Sequence, residues 1–286
     1  MKPGARITAN PKLSDVQSRR DYRRIGITKV GVKGLRYPIL VLDRQNGTQH
    51  TIAAFNMYVN LSHRERGTHM SRFIEVLNRH RGEVNLKSIP VILDDLVKKL
   101  KADSAHLEVE FPYFLEKSAP VTGAKSMVFY TCRFLASTVT PPASPRRARG
   151  RSRPDPRKDF RVEVEVPVIS LCPCSKEISR IGAHNQRSLV AVRVRYSGFF
   201  WIEDLISLVE ESSSAPIYSL LKRPDEKFIT ERAFSRPRFA EDIAREVASR
   251  LRRDKNFTWF KVEVESFESI HSHNAYAYVE EGKAIE

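Results

Sequence analysis

The residues best suited to chemistry stand in two neighbouring blocks, Cys172-Pro173-Cys174-Ser175-Lys176-Glu177 and Gly182-Ala183-His184-Asn185-Gln186-Arg187-Ser188. A thiolate and an imidazole are donors that borderline divalent cations such as Zn²⁺, Fe²⁺ or Mn²⁺ accept, so Cys172 and His184 suit a metal site. The same pair suits a nucleophile and its base without any metal. A third reading is two buried, inert cysteines beside a structural histidine. Cys172 and His184 meet only if the chain between them loops back, which Gly182 assists. C-x-C is less diagnostic than C-x-x-C, and spacing alone leaves all three readings open.

Other clusters add weaker signals. Arg223-Pro224-Asp225-Glu226-Lys227 reads as a polar loop with two carboxylates. Glu268-Ser269-Ile270-His271-Ser272-His273-Asn274 connects the last two expected strands. It is either an exposed charged turn or a group that finishes a coordination sphere or shuttles protons near neutral pH. Glu241 opens an expected helix, where a carboxylate complements the helix dipole; alternatively it accepts the paired N–H donors of a guanine-like ring. Arg66, His69 and Arg72 surround a helix start that Ser71 is expected to cap. They suit either a phosphate cradle or a capped helix with solvated arginines.

The elements that must position these groups follow from periodicity. In the first half, 25–43 and 48–60 read as strands, joined by Arg44-Gln45-Asn46-Gly47, a hairpin-type turn. Segments 71–80 and 89–101 have helical spacing, and 106–115 and 125–139 return as strands. In the second half, 160–169 and 186–196 alternate as half-buried strands. Residues 201–211 and 239–251 are helical, and 258–267 and 275–280 close the unit as strands. The chain thus divides into a basic N-terminal tail (1–24), a first half (25–139), an Arg/Pro-rich linker (140–159) and a second half (160–280). Two β-β-α-α-β-β units imply an α+β fold of antiparallel sheets with helices on one face. Open sheet edges need cover, and joining sheets into a barrel supplies it, which favours an oligomer.

Composition excludes several classes. The 286 residues are 41% hydrophobic and 29% charged with mean hydropathy −0.41, consistent with a packed core. No apolar run approaches the ~20 residues of a membrane-spanning helix, and no secretory signal is visible. Three cysteines do not make a disulfide scaffold, so a reducing, cytoplasmic setting is expected. The formal charge is +15, and most of it lies in residues 1–36 and 140–159. The second of these segments holds five prolines and no large apolar residue, so it reads as a mobile connector. A basic arm can grip RNA phosphates non-specifically, but a solvated linker accounts for the charge, and a nucleic-acid partner is not expected.

Taken together, RGTHMSRF (66–73), VISLCPCSKEIS (168–179), GAHNQRS (182–188), EDLISLVEESSSAPIYSLLKRPDEKFITERA (203–233), RFAEDIAREVA (238–248) and ESIHSHNAYA (268–277) resemble the type B form of GTP cyclohydrolase I, a prokaryotic enzyme of folate biosynthesis. The resemblance spans about residues 14–279. It implies tandem tunnelling-fold (T-fold) units assembled into barrels, a homotetramer with active sites at subunit interfaces, and a divalent transition metal (Zn, Mn or Fe). It further implies conversion of GTP to 7,8-dihydroneopterin triphosphate and formate. By this resemblance Cys172, His184 and Glu226 are the metal residues, Glu241 holds the purine, and Glu268 and His271 stand near the metal as acid/base groups or further ligands. Charge and location add Arg66, His69, Arg72, Lys176 and Arg187 as residues for GTP, chiefly its triphosphate. The competing functions are an RNA-binding module using the tail and linker, and a tunnelling-fold nitrile reductase with a cysteine nucleophile and a nicotinamide cofactor. A related archaeal cyclohydrolase that stops at a cyclic phosphate is a further possibility within the enzyme class.

Overall fold

The computed structural model describes residues 14–80, 88–139 and 156–282. Most of the expected tail (1–13) and of the expected linker (140–155) lie outside the described residues. In chain order the elements are β1 (Ile27–Asp43), β2 (Gly47–Leu61), α1 (Ser71–Arg79), α2 (Ile89–Leu100), β3 (Ser104–Ser118), β4 (Lys125–Val139), β5 (Arg157–Leu171), α3 (Pro173–Ile178), β6 (Asn185–Tyr196), α4 (Ile202–Ser212), β7 (Ala215–Pro216), α5 (Arg223–Ser235), α6 (Ala240–Arg253), β8 (Phe257–Ser266) and β9 (Ala275–Gly282).

All strands join one antiparallel sheet in the order β1-β2-β3-β4-β5-β6-β8-β9, with the short β7 paired to β5. Alternation explains its two faces. Val162, Val164 and Val166 of β5 align with Val194, Val192 and Val190 of β6, and all are buried. With Ile92, Leu96, Ile206, Val209, Ile243, Val247 and Leu251 from the helices they form one continuous core that crosses both halves. The opposite face carries charge: Arg133 of β4 bridges Glu110 of β3 and Glu163 and Glu165 of β5, and Arg193 of β6 completes the row through Glu163.

The expected element order is present, with three corrections. The polar loop read at 223–227 is the start of helix α5. Pro224 suits a first turn, the Asp225 carboxylate accepts the Lys222 N–H, and Ile229 and Ala233 bury against Leu171 and Ala215. This helix has only a narrow apolar stripe, which is why periodicity passed over it. Ser71 does not cap α1: Met70 occupies the cap position without a side-chain bond, and the Arg72 and Phe73 N–H groups bond the His69 and Met70 carbonyls. The N–H groups expected to cradle a phosphate there are partly used. Finally, β5 begins at Arg157, inside the expected linker, because residues 157–159 pair with 137–139 of β4.

Candidate active site

The Cys172 and His184 blocks are stitched together by their backbones where β5 ends and β6 begins. Cys172 leaves β5 in an extended conformation and caps α3, its Sγ accepting the Ser175 N–H at 3.4 Å, with Pro173 opening the helix. The Cys172 N–H donates to the His184 carbonyl (3.1 Å), and the His184 N–H donates to Ser175 Oγ (3.0 Å). Gly182, at φ +75°, makes the left-handed turn that returns the chain to β6. The return expected from spacing is thus built from Ser175 and Gly182.

A third segment closes the site. The Arg238 N–H donates to the Leu171 carbonyl (3.0 Å), which fixes the chain entering α6 beside Cys172. Asp242 accepts the Phe239 N–H (3.0 Å) and sets the first turn of α6. A fourth arrives from the β8–β9 connection, held by Phe267 N–H to the Arg187 carbonyl (2.9 Å). Together these segments enclose an open cavity of about 370 Å³ lined by Cys172, Cys174, His184, Gln186, Arg238, Phe239, Glu241, Glu268, His271 and His273, with Ala240 and Ala275. That volume lies within the range of small-ligand clefts.

Inside it, His184 Nδ1 is 3.0 Å from Gln186 Oε1 and 3.9 Å from Glu268 Oε2, and Gln186 Nε2 donates to Glu268 Oε1 at 3.1 Å. The His184 and Glu268 side chains are each 13% exposed, so these contacts are largely shielded from water. The His271 ring meets His184 edge-on, centroids 6.3 Å apart, and stacks on His273 at 5.3 Å.

Of the residues expected at the site, Cys172, His184, Glu241, Glu268 and His271 converge on this cavity. The others do not line it within one chain. Glu226 is exposed on the first turn of α5. Its neighbour Asp225 is buried and anchors that turn to the β3–β4 connection, accepting the Val121 and Thr122 N–H groups and the Thr122 hydroxyl. Burial alone would raise the Asp225 pKa; these bonds overturn that and hold the carboxyl well below the usual carboxylate range. Lys176 lies against α5, donating to the Phe234 carbonyl at 2.6 Å. Arg187 is exposed on β6.

Arg66, His69 and Arg72 follow β2, whose last residues pair with the first residues of β1 and β3. Through β4, that end of the sheet is the one where β5 starts, whereas Cys172 follows the end where β5 stops. The two groups therefore sit a strand's length apart in one chain. His69 Nε2 is 3.2 Å from Asp15. Gln186, Arg238 and Phe239 line the cavity without having been singled out from sequence. All three lie in blocks already quoted, but no spacing rule marks them as site residues.

The chain matches the family model described as "Type I GTP cyclohydrolase folE2" over residues 13–277. It is 55% identical over 268 residues to the "GTP cyclohydrolase FolE2" of Syntrophus aciditrophicus (strain SB), covering 94% of this chain and 99% of that protein. It is 55% identical over 273 residues to the protein of the same name from Geobacter sp. (strain M21), covering 96% of each. Among solved structures it is similar to the uricase of Bacillus fastidious (TM-score 0.52, 10% identity, 90% of this chain and 93% of that one). The uricase of Arthrobacter globiformis gives TM-score 0.50 at 10% identity, over 92% and 96%. The uricase likeness shows the tunnelling fold alone.

Proposed function

The chain belongs to the FolE2 family of type I GTP cyclohydrolases, and from that premise we propose that it converts GTP to 7,8-dihydroneopterin triphosphate and formate with a divalent transition metal held at Cys172 and His184. The observation that carries this reading is the convergence of that thiol and imidazole with Glu241, Glu268 and His271 on one cavity.

The donor chemistry fits such an ion, since sulfur and imidazole together suit Zn²⁺, Fe²⁺ or Mn²⁺. Among the described residues of one chain, no three His, Cys, Asp or Glu side chains stand close enough to hold a metal. A further protein ligand, for which Glu226 is the candidate, therefore comes with assembly of the oligomer or with a shift of α5. When bound, the ion supplies hydroxide at neutral pH by lowering the pKa of water from 15.7 toward ~7.

The remaining work falls to the chain. Glu241 accepts the N1–H and 2-amino donors of guanine and fixes the ring edge, while Phe239 offers the purine an apolar surface. His271 gives a proton toward N7, which makes C8 a better electrophile; general acid help of this kind is worth ~10²–10⁴ in rate. Glu268 exchanges protons as the imidazole ring opens, formate leaves, and the ribose carbons close the pterin ring. By its charge, Arg187 suits the triphosphate. Arg66, His69 and Arg72 serve the same group from a neighbouring copy, since a T-fold assembly of several chains brings opposite sheet ends together. On this reading the functional unit is a homo-oligomer, a tetramer by family likeness.

The test is to incubate apo-protein with GTP and Zn²⁺, Mn²⁺ or Fe²⁺ in turn, following pterin fluorescence and released formate. Both products with at least one metal, and neither with chelator, are expected. No product with any metal overturns the proposal. Retained activity in excess chelator overturns its metal part.

A further inference from the structure

Several polar side chains of the cavity take no part in these steps, Gln186 among them. Gln186 stands between the Glu268 carboxylate and the His184 imidazole, bonding both at 3.1 and 3.0 Å, while those two remain 3.9 Å apart. A carboxylate only accepts, so the amide must turn its NH₂ toward Glu268. Its carbonyl oxygen then faces His184 and also only accepts, so Nδ1 must carry the ring proton. That leaves the lone pair on Nε2. The Ser269 hydroxyl, 3.5 Å from Nδ1, is compatible with the same arrangement. Because β6 alternates, positions 186 and 188 share one side of the strand, and Ser188 continues that side into a buried hydroxyl row with Ser170 and Ser266.

We propose that Gln186 is a positioning residue that presets His184 as a ligand: it transmits the acceptor character of Glu268 and leaves the imidazole with Nε2 available to a divalent metal. This rests on the reading that Cys172 and His184 hold the ion. Outer partners of ligating histidines fix ring orientation and tautomer and typically govern 10–100-fold in metal affinity. A glutamine suits this position for a specific reason. A glutamate there would set two carboxylates against each other, and an apolar residue would leave Nδ1 and Glu268 without their shared partner.

The test uses full-length apo-protein and Co²⁺ as the probe, with affinity and the thiolate-to-cobalt absorption band as readouts and thermal unfolding as the fold control. Gln186→Leu and Gln186→Glu are each expected to weaken Co²⁺ binding about 10–100-fold. The exchange Gln186→Glu with Glu268→Gln rebuilds the relay with its members interchanged. The amide then at position 268 donates to the carboxylate then at position 186, and that carboxylate accepts from His184 Nδ1. Its affinity is expected within about threefold of wild type, a coupling that independent packing defects do not produce. Wild-type affinity in Gln186→Leu overturns the proposal, and so does a folded double variant that binds as weakly as Gln186→Glu. Failure of the parent reading looks different: the wild-type protein itself would then bind Co²⁺ without the thiolate band.

Discussion

Cys172→Ser separates two tasks that fall on one atom. As the cap of α3, Sγ accepts one N–H at 3.4 Å, an ordinary length for sulfur, which is a weak acceptor. A serine oxygen is a preferred cap acceptor and bonds an N–H at ~2.9 Å; good caps are worth about 0.5–2 kcal/mol over alanine. The substitution therefore keeps or slightly improves the cap, and stability should change by no more than about 1 kcal/mol. For a chain of this size that is a Tm change within about 4 °C. As a metal donor the hydroxyl is far poorer, because the thiolate is the form that ligates. Loss of a direct ligand should exceed the roughly 10–100-fold cost of losing an outer partner, so metal affinity is expected to fall more than about 100-fold, together with turnover. Calorimetry on the apo-protein, Co²⁺ titration and formate release under anaerobic conditions measure the three quantities. A large drop in apo-protein Tm would show that the thiol is there for packing. Unchanged Co²⁺ binding with a stable fold would refute the metal assignment.

Glu241→Ala removes a carboxylate proposed to accept two N–H groups of guanine. With charge-assisted bonds worth about 1.5–3 kcal/mol each, kcat/KM for GTP should fall at least ~100-fold, and the preference for GTP over inosine triphosphate, which lacks the 2-amino group, should shrink; an unchanged preference removes Glu241 from base recognition. Asp225→Asn tests the α5 anchor: because the folded carboxyl titrates below its unfolded value, its stabilisation is present above about pH 4 and is lost as pH falls toward the folded value. Wild-type Tm should thus exceed that of Asp225→Asn at about pH 7, and the gap should begin to narrow as pH falls below about 4, whereas a constant gap would contradict the assigned bonds. Arg66→Ala should raise KM for GTP more than it lowers kcat, and mixed oligomers of Arg66→Ala with Cys172→Ser should regain activity beyond either alone; no recovery after verified subunit exchange would place Arg66 outside the shared site.

Much of the fold was legible because its elements announce themselves locally. The alternation of Val190, Val192 and Val194 and the stripe Ile243, Val247, Leu251 report burial on one face directly. Helix α5 escaped notice because Asp225, not an apolar stripe, holds its first turn, and the partners of that carboxylate, Val121 and Thr122, are about a hundred residues away. The edge of β5 was misplaced because Arg157 and Lys158 look like linker until β4 lies beside them.

The chemistry of the site resides in residue types, and a thiol at 172, an imidazole at 184 and carboxylates at 241 and 268 are visible in the chain itself. Their convergence, the intervention of Gln186, and the separation of Arg66 from Cys172 to opposite sheet ends depend on pairings between residues distant in sequence. Periodicity carries information about which face a residue takes, because that is decided within a turn or two of the chain. Which end of the sheet it reaches, and what it meets there, is decided by strand register and by loops closing over one another, and only the folded molecule contains that.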